Sequence, residues 1–400
     1  MLNKGAEPVL VLEFHEDQQW LGGAIYIDNL LAALSSLPDD ERPEVHLKLL
    51  SSPRTSLARK LFGHSVVAGS LPPSGFSDIA ARTRRFHRAA VRRWPLFAKL
   101  TPAARRHVYF PAFDAWQRWR NNLYWIPDFQ LFHFPELFDR GEIAARRGAI
   151  DQIAASRGLL VLSSEAALAD FRKLYPAAAV EPRVWSFSSS LHTDPGGNCD
   201  ATLTRYQLPQ RFLYVANHFW RHKDHLTVFK ALKLLKERGT EVFVVCTGLQ
   251  FDRRDPEYFN ELMQMLASWG LLAQIRLLGV VPRGDQAELF RAAVSVVQPS
   301  LFEGWSTVIE DAKALGRPIV ASDIPVHVEQ LDGLANCILF EKSNAEDLAQ
   351  KLAFAWTTMA PGPAVEQERA AIARRDAVRI QSARDFVRIV KEAASFELTN

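Results

Sequence analysis

Four stretches of this chain carry side chains whose types and spacing could do chemistry. The first is PSLFEGWST at 299–307. Glu303 offers a carboxylate that can accept hydrogen bonds from sugar hydroxyls. Gly304 and Trp305 shape the turn. Ser306 and Thr307 open a helix pattern, where unsatisfied N–H groups and the helix dipole favour an anion such as a phosphate. An acidic glycine turn before a helix is also ordinary dipole compensation, so both readings stand. The second stretch is HFWRHKDH at 218–225. Arg221 and Lys223 follow a strand end, where cations can bind a diphosphate or simply be solvated. The third is PDFQLFHFPELF at 127–138, with His133 in a loop past a strand. It could touch a substrate hydroxyl or phosphate, or be structural. The fourth is the pair Gly22-Gly23 after the first strand. It permits close approach of backbone to a ligand, or makes a tight turn. Gly248, which ends a further strand, is a candidate contact for the same ligand.

These residues need elements to hold them. Apolar and β-branched runs predict strands at Val9 to Phe14, Val45 to Leu50, Val108 to Phe110, Leu123 to Ile126 and Leu159 to Leu162, with a last apolar piece from Val184 to Phe187. Helical patterns run from Ala24 to Leu37, Gly141 to Ser156 and Ala166 to Tyr175. Residues 188–203 are polar and read as an inter-domain linker. Strands then recur at Phe212 to Ala216, Glu241 to Thr247, Ile275 to Leu278, Val294 to Val297, Ile319 to Ala321 and Cys337 to Phe340. Helices alternate with them, and a final helical region covers 364–394. Alternating strands and helices build parallel sheets, whose ligands lie beyond the carboxyl ends of the strands.

Length and composition bound the rest. The 400 residues are 48% hydrophobic, enough for two domains with separate cores. Three scattered cysteines (Cys199, Cys246, Cys337) support neither a disulfide framework nor a zinc site and fit a reducing cytoplasm. The N-terminal apolar run is too short for a signal peptide, and no run of about 18 apolar residues predicts a membrane span. The net charge of +3 is unevenly spread. Ten Arg and one Lys face a single acid, Asp114, between Arg82 and Arg120, interleaved with Phe86, Trp94, Phe97 and Trp116. This segment reads as an anionic-membrane patch or as a solvated helix face. No nucleic-acid signature accompanies it. A dinucleotide oxidoreductase is disfavoured by the lack of a GxGxxG turn. No obvious carboxylate pair suggests glycoside hydrolysis.

The chain resembles the family 4 glycosyltransferases of GT-B fold. The resemblance rests on YVANHFWRHKDHL (214–226), LLGVV (277–281) and above all PSLFEGWSTVIEDAKALGRPIVASDIP (299–325), with Gly22-Gly23 and WIPDFQ…HFPELF (125–138) extending it. It implies an α/β protein of two Rossmann-like domains facing each other across a cleft: an acceptor domain over 1–190, completed by about 375–400, and a donor domain over 204–374. It implies transfer of a hexose from a nucleotide diphosphate sugar, GDP-mannose being preferred, to a lipid-linked or growing surface glycan, with retention of configuration. No metal or other cofactor is expected, and the cytoplasmic face of a membrane is the expected location. By the same resemblance Glu303 faces the sugar hydroxyls. Asp311, where relatives carry Glu, corresponds to the ribose acid, with Glu310 just before it. Lys223 corresponds to the diphosphate lysine, and Arg221 stands in for the usual arginine. Ser306 and Thr307 lend amides to the phosphates, Gly23 lies close to the donor phosphate or the acceptor, and His133 matches the loop histidine. A non-catalytic GT-B-like sugar-nucleotide-binding or partner subunit is the alternative.

Overall fold

A computed structural model describes residues 7–14, 21–49, 60–70, 107–115, 121–191 and 199–396. The chain divides into two compact units. The first is Met1–Phe129, Arg140–Phe187 and Arg379–Asn400; the second is Gln130–Asp139 and Ser188–Val378. The segment 130–139, which sequence order puts in the N-terminal half, therefore belongs to the second unit.

The first unit holds strands β1 (Val9–Phe14), β2 (Glu44–Leu49), β3 (Val67–Ser70), β4 (His107–Ala112), β5 (Asn121–Ile126), β6 (Leu159–Leu162) and β7 (Glu181–Val184). Their order is β3-β2-β1-β4-β5-β6-β7, with every pairing parallel. β5 and β6 are buried along their whole lengths, as strands covered on both faces must be. β7 differs. Its residues EPRV are half-exposed at the sheet edge, so it reads as polar and lies ahead of the apolar piece that the sequence pointed to. The first helix is Leu21–Ser35, so Gly22 and Gly23 sit in its first turn and do not form a turn ahead of it. The helix Glu165–Leu174 starts on Ser164, whose Oγ accepts the Ala167 N–H at 3.0 Å.

The second unit holds β8 (Leu213–Val215), β9 (Val244–Cys246), β10 (Ile275–Leu277), β11 (Ser295–Gln298), β12 (Ile319–Ser322) and β13 (Cys337–Phe340). The order is β10-β9-β8-β11-β12-β13, again parallel throughout. Strand order therefore reverses between β8 and β11. Alternating strand residues supply two cores. Leu213, Val215, Val244, Cys246, Val297 and Val320 share one with the helices His225–Glu237 and Ala345–Thr358. Tyr214, Val245, Val296, Ile319 and Ala321 share the other with the helices Arg283–Ala292 and Thr307–Ala314. Fully burying one such aliphatic side chain is worth about 1.5–3 kcal/mol, so these runs are strands because both faces have somewhere to go.

The supposed linker is only partly irregular. Residues Asp200–Arg205 form a helix with Thr202 and Leu203 buried, held by Arg205 to Asp285 at 2.8 Å and by the Tyr206 hydroxyl to the same carboxylate at 2.7 Å. The final helix, Val365–Ser395, contributes its first half to the second unit and its second half to the first. In the first unit it supplies Phe386, whose ring lies 5.2 Å from Phe110 and 5.0 Å from Trp185, and the Ser382 carbonyl, which accepts the Trp185 Nε1–H at 2.8 Å. Of the basic segment, only residues 107–115 lie within the described residues; Arg82, Arg84, Arg85 and Arg88 do not. Among the described residues no helix is long and apolar enough to cross a membrane.

Candidate active site

The reversal of strand order between β8 and β11 leaves a crevice beyond their carboxyl ends, because the loops after these two strands turn to opposite sides of the sheet. Two amides bridge it. Asn217, two residues past β8, donates from Nδ2 to Oε1 of Gln298, the last residue of β11, at 2.7 Å. That bond fixes which way the Gln298 amide points. Its Nε2 then donates to Glu303 Oε1 at 2.9 Å and to Ser300 Oγ at 3.1 Å. Ser300 in turn donates to Glu303 Oε1 at 2.7 Å. Asn217, Gln298 and Ser300 are all buried. Lys223 completes the set, its Nζ 2.5 Å from the same Oε1, with the two side chains 15% and 10% exposed. Three donors thus converge on one carboxylate oxygen, leaving Oε2 as the oxygen that can take further hydroxyls. One ammonium N–H is committed to Glu303, and two remain for anionic oxygens.

Local structure explains how Lys223 reaches this place. It ends the 3₁₀ turn Arg221–Lys223, and Asp224 follows in the left-handed region at φ 50°. Asp224 caps the helix His225–Glu237, accepting from the Thr227 N–H at 3.3 Å and the Thr227 hydroxyl at 2.7 Å. Burial pushes the Asp224 carboxyl up to about 6. The His222 carbonyl accepts the Leu301 N–H at 2.8 Å, tying this turn to the Glu303 loop. Burial drives His218 down to about 4 and His225 down to about 3, so both rings are neutral beside the lysine. Gly248 lies where the backbone after β8 passes. A Cβ there would sit 2.3 Å from the Asn217 carbonyl oxygen, and its φ is +125°, so only glycine fits. Its place is set by this close packing of two strand ends.

The helix Thr307–Ala314 is capped by Ser306, whose Oγ accepts the Ile309 N–H at 3.4 Å. Gln330 clamps the same residue. Its Oε1 accepts the Ser306 N–H at 3.0 Å, and its Nε2 donates to the Ser306 carbonyl at 3.1 Å. The Ser306 amide is therefore taken, which corrects the expectation that it serves an anion. Thr307 and Val308 are the next residues, with amides ahead of the first helical bond. Gly304 and Trp305 are half-buried in the turn before the cap. Glu310 points to Lys313 (2.7 Å) and Gln330 (3.0 Å), and burial raises its pKa. Asp311 faces elsewhere. Its Oδ1 accepts from Ser189 Oγ at 2.5 Å and from Arg283 NH2 at 2.6 Å.

The predicted residues are thus only partly brought together. Lys223 and Glu303 are in direct contact. Arg221 is not with them. Its Nε donates to Asp255 Oδ2 at 2.6 Å and its guanidinium lies 4.5 Å over the Tyr258 ring, so it is not the second cation beside Lys223. His133 ends the short helix Gln130–His133, and its ring lies 4.9 Å from that of Phe302, the neighbour of Glu303. Gly22 and Gly23 belong to the first unit. The sequence reading missed Gln298, Ser300, Gln330 and Arg283 as site residues. A signal existed for the first two: polar residues closing a β-branched run must find partners at the strand end.

Residues 204–358 match the family model described as glycosyl transferases group 1. The O-antigen chain mannosyltransferase B of Escherichia coli is 24% identical over 201 residues, 49% of this chain and 51% of that protein. The chain thus spans about half the length of this curated relative. Among solved structures, a glycosyltransferase from Rickettsia africae superposes with a TM-score of 0.69 at 15% identity, covering 98% of this chain and 100% of that one. Anabaena HepE, crystallised with UDP and glucose, gives 0.64 at 17%, covering 94% and 98%. At such identities the likeness speaks for the fold. The two parallel sheets have the architecture of GT-B glycosyltransferases, and within the chain residues 204–358 are similar to the group 1 glycosyl transferases.

Proposed function

We propose that the chain is a glycosyltransferase that moves a hexose from a nucleoside diphosphate sugar to a lipid-linked or growing cell-surface polysaccharide. The observation that carries this reading is the Lys223–Glu303 pair across the sheet reversal, at 2.5 Å. As the hexose leaves, the departing diphosphate gains charge. The two free N–H groups of Lys223 and the amides of Thr307 and Val308 stabilise it. Glu303 Oε2 accepts a hydroxyl of the hexose and fixes its orientation, while Oε1 stays bound to its three donors. His133, beside Phe302, lies at the sugar side of the same loop. Retention of configuration and independence of metal, as in family 4 enzymes, belong to this proposal. The E. coli relative is named for mannose transfer and HepE was solved with UDP. GDP-mannose is the preferred donor, with UDP sugars as the competing set. Peripheral attachment to the cytoplasmic face of a membrane through residues 82–120 is part of the same proposal.

Thermal-shift screening against UDP, GDP, dTDP and ADP identifies the base, since a ligand at 100 times its dissociation constant adds about 2.7 kcal/mol. Transfer assays with the matching sugar nucleotides follow, with and without chelator, and the anomeric proton of the product reads the stereochemistry. Glu303→Ala transferring as fast as the parent sinks the assignment of Glu303. Sedimentation with anionic liposomes tests the surface. Neutralising Arg82, Arg84, Arg85 and Arg88 should release the protein.

A further inference from the structure

Arg254 has no part in the chemistry above, yet it is one of the most heavily engaged cations in the second unit. Its side chain is 17% exposed and anchored on Asp252, itself buried, through Nε at 3.1 Å and NH2 at 3.2 Å. From that anchor it touches both ends of the segment 130–139. NH1 donates to Gln130 Oε1 at 3.2 Å, and the guanidinium lies 5.6 Å from the Phe138 ring. The guanidinium also lies 5.3 Å from the Trp220 ring, and NH2 is 3.5 Å from His222 Nδ1. Trp220 precedes the lysine turn and His222 lies within it. Between the two pinned ends the segment holds itself in a tight fold. The Phe134 N–H donates to the Gln130 carbonyl at 2.8 Å and the Phe138 N–H to the Pro135 carbonyl at 3.1 Å. Its middle carries His133 and Phe134 against Phe302, at 4.9 and 6.4 Å.

We propose that Arg254 is a positioning residue that pins both ends of the segment 130–139 to the donor unit and so holds His133 beside the Glu303 loop. The planar guanidinium suits this task. It can bond a carboxylate on one edge, an amide on another, and stack on rings with its faces. A lysine can keep the charge pair with Asp252 but cannot do the rest. The catalytic part of this inference rests on the transferase reading; the structural part does not.

Hydrogen exchange on the whole chain tests the pin without any substrate. In Arg254→Met, peptides from 130–139 should exchange about tenfold faster or more, while those from β8 and β11 keep the parental rate. Arg254→Lys, which retains the Asp252 pair and guards against a folding defect, should loosen the same segment. Unchanged exchange across 130–139 in both variants overturns the proposal. Kinetics then test the link to His133. Arg254→Met should lower kcat as His133→Ala does and leave nucleoside diphosphate affinity within about twofold. The double variant should be no slower than the slower single one, because both remove the same contribution. Additive losses would mean that Arg254 acts elsewhere. A parent protein that transfers no sugar from any nucleotide refutes the transferase reading, and exchange alone then decides the pin.

Discussion

The two acids to which the sequence points, Glu303 and Asp311, are held by different neighbours in this protein. Glu303 gathers Lys223, Gln298 and Ser300 on one oxygen, Oε1. Asp311 likewise accepts on one oxygen, Oδ1, from Ser189 and from Arg283, whose side chain is 42% exposed. Both acids are oriented through one oxygen, but their side chains differ in exposure, 10% for Glu303 and 4% for Asp311. A motif position therefore does not set a role by itself. In the proposed reaction Glu303 is the acid that meets the sugar. Beside Asp311 the more exposed group is a cation, Arg283.

Variants can break or sharpen that contrast. Lys223→Met should have the largest effect, lowering kcat by roughly 10²–10³-fold, since it removes the charge that meets the leaving diphosphate. Steady-state kinetics read this directly. Gln298→Leu should cost about tenfold in kcat/KM, the worth of one hydrogen bond to a charged group, and leave nucleoside diphosphate binding unchanged by calorimetry. A parental rate would mean that Glu303 needs no orienting. Asp224→Asn probes the lysine turn through pH. The buried carboxyl, pushed up to about 6, holds more protons folded than unfolded between pH 4 and 6, so it lowers stability as pH rises through that window. The asparagine variant can keep the cap and the left-handed φ. It should be more stable than the parent at pH 7, by on the order of 1–2 kcal/mol, with the gap closing by pH 4 in denaturant titrations. Asp311→Asn should have the smallest effect, under about threefold on nucleotide affinity, because the side chain is 4% exposed and an amide oxygen can still accept from Ser189 and Arg283. A tenfold loss would restore the second acid to the ribose and erase the contrast.

The order of strands and helices was legible because both sheets are buried on two faces, so nearly every strand is an apolar run. What escaped was polar or short. β3 is four residues of VAGS, β7 is an edge strand, and Asp200–Arg205 is a helix inside a polar stretch. Within the site, Lys223 and Glu303 could be read from their types at strand ends. The misplacement of Arg221 could not be avoided locally, since its partner Asp255 lies 34 positions away. Ser306 shows the same limit. Its helix-opening amide looks free in sequence and is taken by Gln330, 24 residues on.

The last helix has a consequence for how the chain is made. Phe386 packs on Phe110, Ser382 receives Trp185, and Lys391 pairs with Glu7 across 384 positions. The aromatic centre of the first unit therefore lacks a wall until residue 386 has left the ribosome. The second unit has no such debt beyond residue 378. Synthesis runs from the N-terminus at about 5–20 residues per second, and long-range closure is slow. The part made first is therefore finished last. Its strands wait unsealed for some ten seconds or more while residues 188–378 are made, and that is the interval in which a chaperone has something to hold.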